Sequence, residues 1–493
     1  MKKRLALITY GCQMNERDSQ EVLGMLTAQG YEIAPKPEDA DVILLNTCSV
    51  REHAEERAFG KMGELSVLKQ DNPNLVLGII GCMAKLQQDR IFKRLPKVDL
   101  IAGPAELYDL PYLLAEIQEK RQLGGEGRGA RGGGEPARVM AVGRKFRPLD
   151  AKPPGDCRAP GVAAFVTIME GCDKACTYCI VPMTRGQEIS RPASEIVAEV
   201  AALAHAGYQD ITLLGQNVNS YGKRFPDGSG YKGPLGRLRL LDTDPDALLD
   251  FPALLRRIDR ETPATRIRFT TSHPFDATAR LFEAMRECAC VCPWLHLPVQ
   301  SGSNRILRAM RRGYTHEAYL EKIRALRCLI PDVSLSTDII VGFPGETEAD
   351  FEQTIALMRE VEYDSAFIFK YSPRPGTDAA AKPDDVPQEV KETRNQQLLA
   401  LQDALSQARL GRFAGRAVEV LVEGPAKRPG QLFGRTRGNH GVVLDGPAHL
   451  VGALLPVVIE RALPHTLFGR APADASGFTA STRQSGYGAH HAA

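Results

Sequence analysis

Residues 171–185 read GCDKACTYCIVPMTR and place cysteines at 172, 176 and 179, in a short loop after the apolar run 165–169. Three thiols spaced by three and then two residues can point at one small inorganic body, and cysteine thiolates are the ligands of iron–sulfur clusters. A four-iron cubane with only three thiolates nearby keeps one iron open, and an open position is what separates a catalytic metal site from a structural one. A zinc knot requires a fourth ligand close by, and no His or Cys lies between Cys179 and His205. Three closely spaced cysteines do not pair off evenly as disulfides.

A chain of 493 residues is too long for one ordinary domain. The formal net charge of +2, with 25% charged residues, leaves nucleic-acid binding to local patches. Eleven cysteines, an odd number, fit metal ligation in a reducing cytosol better than a disulfide framework. The N-terminal MKKRLALITYGC carries too short an apolar run for a signal peptide, and no run approaches membrane-spanning length. A soluble, cytoplasmic, monomeric protein without membrane contact is expected.

Residues 1–117 alternate apolar strands at 5–9, 42–47 and 75–80 with helix-period segments, the pattern of an α/β domain with a parallel sheet. Each strand runs into a cysteine: Cys12 in TYGCQMN, Cys48 in LNTCSVRE and Cys82 in IGCMAK. Any one of these alone reads as a small buried hydrophobe. The carboxyl edge of a parallel sheet is where α/β folds place ligands, so the three together read as a second three-thiolate cluster site. Asn15, Asn46 and Thr47 stand beside them as supporting donors.

Residues 118–157 include QLGGEGRGARGGGEPAR and read as a Gly/Arg-rich linker; Cys157 stands alone there. Over 158–392, β-type runs at 164–169, 211–215, 266–271, 294–300, 335–341 and 365–371 alternate with helical patterns, predicting a partial parallel (βα)6 barrel whose active site lies at the strand C-termini. The Gly- and Pro-rich piece 221–248 reads as a loop over the barrel mouth. Residues 393–470 carry a helix and then short Val- and Leu-rich strands separated by glycines, a small antiparallel β-barrel. Its Arg412, Arg416, Lys427, Arg428, Arg435, Arg437 and His440, with Phe433, form a basic face suited to an RNA backbone or simply to solvent. Residues 471–493 are small and polar and read as a disordered tail.

Gly215, Gln216 and Asn217 follow the second barrel strand, and Gly342, Gly345 and Glu346 follow the fifth; both turns are candidates to bind a cofactor, with plain turns as the alternative. Gln300, Ser301 and Ser303 end a strand at the same rim, and Arg185 and Arg191 are candidates to pair with carboxylate or phosphate. Ser272 and His273 suit contact with RNA or cofactor, or a structural role. Cys288, Cys290, Cys292 and Cys328 read as packing residues.

The CxxxCxxC arrangement of Cys172, Cys176 and Cys179, with Tyr178 before the last cysteine, resembles the radical S-adenosylmethionine superfamily. Adding Cys12, Cys48 and Cys82 and a C-terminal barrel of the TRAM type, nearly the whole chain resembles the radical S-adenosylmethionine methylthiotransferases. LLGQNVNSYG, TTSHP, LHLPVQSGSNRIL and DIIVGFPGETEADFEQT are similar to the branch acting on isopentenyladenosine in tRNA. The resemblance implies two 4Fe-4S clusters, one catalytic on Cys172, Cys176 and Cys179, the other an auxiliary sulfur carrier on Cys12, Cys48 and Cys82. It also implies S-adenosylmethionine bound near Tyr178 and the two glycine turns, and methylthiolation of C2 of N(6)-isopentenyladenosine at position 37. The implied partners are a tRNA anticodon stem-loop, a one-electron reductant such as flavodoxin or ferredoxin, and iron–sulfur and sulfur donors. The chain departs from the pattern at Met183, where a tyrosine is common, and at Phe275, where a lysine is common. Sister reactions on threonylcarbamoyladenosine of tRNA or on a ribosomal-protein aspartate stay open, as does a non-catalytic RNA-binding iron–sulfur protein.

Overall fold

A computed structural model describes residues 2–49, 52–126, 137–144, 158, 161–225 and 249–471. The chain begins with six parallel strands, β1 (Arg4–Tyr10), β2 (Glu32–Ile33), β3 (Val42–Thr47), β4 (Val76–Gly81), β5 (Leu100–Ala102) and β6 (Val139–Ala141), in the order β2-β1-β3-β4-β5-β6. Helices α1 (Gln13–Ala28), α2 (Glu52–Leu65), α3 (Cys82–Gln87), α4 (Asp89–Arg94) and α5 (Leu110–Glu126) connect them. The strands read as near-continuous apolar runs because both faces are covered. Ile43, Leu45, Leu77 and Ile79 pack under α2 and α3, while Val42, Leu44, Val76 and Ile80 pack under α1 and α5.

This domain runs past the expected boundary at 117. Helix α5 continues to Glu126, and β6, inside the expected linker, pairs in parallel with β5 because the short apolar run VMA satisfies that strand's open edge. Residues 127–136 and 145–157, with Cys157, lie outside the described residues.

The middle of the chain holds β7 (Ala163–Thr167), β8 (Met169–Glu170), β9 (Ile189–Ser190), β10 (Asp210–Leu214), β11 (Arg266–Phe269), β12 (Trp294–His296), β13 (Ser334–Val341) and β14 (Ser365–Lys370). Between them run α6 (Val181–Arg185), α7 (Ala193–His205), α8 (Phe251–Glu261), α9 (Ala279–Glu287), α10 (Asn304–Ala309), α11 (His316–Leu329) and α12 (Glu348–Val361). Sheets β11-β10-β7 and β12-β13-β14 are all parallel and are joined by a parallel bridge from Ile267 to Val291. The six strands therefore line up from β7 to β14 as the expected partial barrel. Of the expected mouth loop, 226–248 lies outside the described residues. Cys288, Cys290 and Cys292 are buried in or beside the barrel core, in keeping with packing roles, whereas Cys328 is exposed on α11 and the packing reading does not hold for it.

Helix α13 (Gln388–Gly411) leads to a closed barrel of β15 (Ala417–Pro425), β16 (Gln431–Thr436), β17 (Gly441–Asp445), β18 (Leu454–Leu463) and β19 (Thr466–Arg470). One of its five pairings, β17 with β19, is parallel. Five strands of alternating direction cannot close a ring without one such seam, which is why the expected antiparallel pattern is broken there.

The small barrel docks on the N-terminal ends of the large one. Arg266, which opens β11, reaches Glu419 at 2.8 Å and the Arg435 carbonyl at 2.8 Å. Arg268 pairs with Asp210 at 2.8 Å and donates to the Thr436 and Arg437 carbonyls. Arg437 donates back to the Thr265 and Ala289 carbonyls, and His440 Nε2 lies 3.2 Å from Ser334 Oγ and 3.3 Å from Asp364. Much of the expected RNA face is thus a docking surface, with Arg412 also turned toward Asp364. Arg416, Lys427 and Arg428 remain exposed. Among the described residues, no helix is long and apolar enough to cross a membrane.

Asp364 accepts from the Leu335 N–H at 2.8 Å and forms an ion pair with Arg409 at 3.0 Å; against the opposing effect of burial, His440 and Arg409 hold its carboxyl down to about 2. A carboxyl depressed in the folded state stabilises it above the unfolded value and loses that contribution as pH falls through the folded value. Asp364→Asn is expected to cost about 2 kcal/mol at neutral pH in chemical denaturation, with the gap to the wild type narrowing below about pH 4.

Candidate active site

The first trio assembles at the carboxyl edge of the N-terminal sheet. Cys12 caps α1, its Sγ 3.2 Å from Asn15 Oδ1, while Cys48 follows β3 and Cys82 opens α3. The free thiols of Cys48 and Cys12 are hydrogen-bonded, and this contact, with Arg185 nearby, brings Cys12 down to about 6 against burial; burial raises Cys82. Behind them Asn15 Nδ2 donates to Asn46 Oδ1 at 3.0 Å, and Asn46 Nδ2 donates to the Asn15 carbonyl at 2.9 Å and Ser19 Oγ at 3.0 Å. Asn15 and Asn46 thus support the loops as expected, whereas Thr47 turns toward the Ile80 carbonyl.

The second trio lies at the mouth of the parallel barrel. Gly171, at φ +76°, starts its loop; a Cβ there would lie 2.0 Å from the Gln187 carbonyl oxygen, so only glycine fits. Cys172, Cys176 and Cys179 line a cavity of about 520 Å³ together with Lys174, Met183 and Arg311. Burial pushes Cys172 up to about 12 and Cys179 up to about 11, so ionising these thiols calls for a strong cationic partner. Arg312 Nη1 donates to Cys176 Sγ at 3.3 Å, and His273 Nε2 lies 3.8 Å from the same sulfur. Burial, Arg312 and Lys174 hold His273 neutral, and its Nδ1 accepts the Phe275 N–H at 3.2 Å; its proton therefore sits on Nε2, facing the sulfur.

Among the described residues, no three His, Cys, Asp or Glu side chains surround a single-ion position. One zinc ion needs every thiolate about 2.3 Å from one point, whereas a cubane offers each thiolate its own iron. The all-sulfur donor sets, with arginine and imidazole donors turned toward them, fit clusters.

Arg185 joins the two trios. It ends α6, the helix that follows the second cysteine loop, and pairs with Asp18 of α1 at 2.6 Å, with Glu170 at 4.0 Å. Its guanidinium also faces the Cys82 thiol. Arg185 and Asp18 are 5% and 1% exposed, which makes this a fully desolvated bridge between domains. Glu199 of α7 adds a second link, gathering Arg17 from α1 with Arg158 and Arg191.

The remaining expected residues divide between site and scaffold. Tyr178 packs beside Phe343 and Met310 and so ties the cysteine loop to the turn holding Gly342, Gly345 and Glu346. Glu346 closes that turn, accepting the Gly342 N–H at 2.6 Å and Arg394 at 2.8 Å, and the Gly345 N–H donates to Asp385. Gln216 Oε1 accepts the Gly171 N–H, Asn217 holds the His273 N–H and Asp276, and Gly215 packs against Met169. Asp276 in turn binds Lys174, which stands 4.4 Å over the Phe275 ring. Gln300 bridges to Ile339, Ser301 approaches Thr354 and Ser303 caps α10. Ser272 is buried with an unpartnered hydroxyl.

Asp18, Asp276, Arg312 and Glu188 escaped sequence reading. Glu188 is fully buried beside Cys172, and burial pushes its carboxyl up to about 7. Only the polar run RGQE after the cysteine loop hinted at it.

Three family models match the chain: Uncharacterized protein family UPF0004 over residues 4–103, the Radical SAM superfamily over 166–358 and the TRAM domain over 411–471. The chain is 44% identical over 470 residues to a tRNA-2-methylthio-N(6)-dimethylallyladenosine synthase of Bordetella petrii, covering 95% of this chain and 91% of the relative. It is 46% identical to that of Anoxybacillus flavithermus, covering 95% and 82%, and 44% identical to that of Moorella thermoacetica, covering 95% and 98%. Among solved structures, the radical S-adenosylmethionine methyltransferase TsrM from Kitasatospora setae superposes with a TM-score of 0.52 at 13% identity, covering 77% of this chain and 74% of that one. That last likeness speaks to the fold alone.

Arg185→Met leaves Asp18 and Glu170 as buried carboxylates without their cation, and is expected to cost about 3–5 kcal/mol in chemical denaturation. Arg185→Lys keeps the charge, loses the fork and should fall between the two.

Proposed function

The chain belongs to the radical S-adenosylmethionine methylthiotransferases, with the tRNA-2-methylthio-N(6)-dimethylallyladenosine synthases, and on that premise we propose that it carries two 4Fe-4S clusters and methylthiolates C2 of N(6)-isopentenyladenosine at position 37 of tRNA. The observation that carries the two-cluster assignment is Arg185, which ends the helix after one thiol trio and faces the other. When bound, a reduced cluster with an open iron supplies the electron that cleaves S-adenosylmethionine to a carbon radical, and the auxiliary cluster supplies the sulfur.

The residues of the chain prepare that chemistry. Cys172, Cys176 and Cys179 hold the catalytic cluster, and Arg312 and His273 steady the Cys176 thiolate with two donors. Cys12, Cys48 and Cys82 hold the auxiliary cluster, and the buried Arg185 guanidinium offsets its negative charge. The C2–H of adenine is not acidic enough for ordinary base catalysis, so the protein's task is to hold the base, splayed out of the anticodon loop, between the two sites. Exposed Arg416, Lys427 and Arg428 suit the tRNA backbone. The enzyme acts in the cytoplasm as a monomer and draws electrons from a flavodoxin or ferredoxin and replacement sulfur from a sulfur donor.

In cells lacking the gene, mass analysis of tRNA nucleosides is expected to show loss of the methylthio group with isopentenyladenosine retained; unchanged tRNA would shift the assignment to the ribosomal-protein target. Anaerobic reconstitution is expected to load about eight irons per chain. Half that number would remove the paired-cluster arrangement.

A further inference from the structure

Strand β14 is open to solvent where a barrel strand is ordinarily packed. Phe367, in its middle, is 51% exposed, although parallel barrels usually fill their interiors with layers of branched side chains. The alternate positions show which face this is. Leu295, Leu297, Leu335 and Ile339, with Ala366 and Ile368, join the core that α11 and α12 cover. Trp294, His296, Asp338 and Phe367 therefore project from the other face, into the lumen.

Three of these side chains form a row of rings. Trp294 and His296 are stacked with centroids 6.5 Å apart, and His296 meets Phe367 edge-on at 6.1 Å. His296 is held at both nitrogens, Nδ1 lying 3.0 Å from Ser336 Oγ and Nε2 3.5 Å from Asp338. Asp338 is in turn the register partner of Phe367. The row is thus fixed by its strands and yet leaves an apolar ring in water.

The row lies between two other features of the molecule. Trp294 pairs in register with Ser334, whose Oγ is 3.2 Å from His440 of the small barrel. Two residues beyond His296, the Pro298 carbonyl accepts from Arg312 at 2.8 Å, and the same guanidinium donates to Cys176. The rings therefore run from the junction with the barrel that carries exposed Arg416, Lys427 and Arg428 toward the thiols at the strand carboxyl ends. A base extruded from an RNA held on that barrel has this distance to cover. Purines stack on aromatic rings, and a prenyl chain adds apolar surface that an exposed phenyl ring rewards.

We propose that Trp294, His296 and Phe367 receive the extruded adenosine, with Phe367 against its N(6)-isopentenyl chain, so that this row selects prenylated over unprenylated RNA. The assignment rests on the proposed function and deepens it by naming the side chains that recognise the modification.

The test measures equilibrium binding of reconstituted holoenzyme to fluorescent anticodon stem-loops that carry either isopentenyladenosine or plain adenosine at position 37. The wild type is expected to prefer the prenylated RNA about tenfold. Phe367→Ala is expected to lose that preference by weakening the prenylated RNA alone, and Phe367→Leu, still apolar, to keep most of it. A wild type without the preference, a preference that survives Phe367→Ala, or equal weakening of both RNAs by that substitution would overturn the assignment. On the wild type, a stem-loop whose N(6) chain carries a diazirine is expected to label the peptides that hold Trp294 or Phe367 on irradiation. Labelling confined to other segments would overturn the assignment without recourse to any variant. A wild type that binds neither RNA would instead overturn the proposed function itself.

Discussion

The molecule depends on a buried ion pair between two domains, Arg185 with Asp18. Neither residue has water to fall back on, so each charge is tolerable only while the other is in place. Asp18 lies in the helix that Cys12 caps, and Arg185 in the helix that leaves the Cys172–Cys179 loop. Any shift that separates the domains must therefore pull apart a desolvated pair. The distance between the two thiol trios is fixed by electrostatics rather than by a rigid covalent link.

A second division of labour follows from the parallel sheets. Ligands gather at strand carboxyl ends, and both trios are found there, at the edge of the first sheet and at the mouth of the partial barrel. The amino ends of the same barrel strands carry Asp210, Arg266, Arg268 and Ser334, the groups to which the small C-terminal barrel attaches. Chemistry and attachment thus occupy opposite ends of one set of strands. Arg435 and Arg437, which look in sequence like free phosphate binders, instead lend backbone carbonyls, and Arg437 its guanidinium, to this junction.

The strands and the six cysteines were legible because each rests on local pattern: apolar runs of strand length, a thiol after each of three N-terminal strands, and the close spacing of Cys172, Cys176 and Cys179 in one loop. The six barrel strands appear where their β-type runs predicted, although the fourth shortens to Trp294–His296. Longer-range features were not legible. Asp18 and Arg185 stand 167 residues apart, and nothing in either neighbourhood announces the other. The strand Val139–Ala141 was hidden because its flanks are glycine- and arginine-rich, so composition outweighed a three-residue apolar run that a waiting sheet edge could use. Gln216, Asn217 and Glu346 occupied turns with the right chemistry, but the side chains turn inward, a fact set by partners that sequence order does not reveal.

The wall of the large barrel stops at β7 on one side and β14 on the other, and the first domain leans across that gap. Helix α1 packs on β7, and Glu55 of α2 faces Arg374 just beyond β14. One folding unit thereby serves as a stave in another's cask. Excising it would do more than delete three ligands, because the lumen would lose a side and flood where a radical must be kept dry.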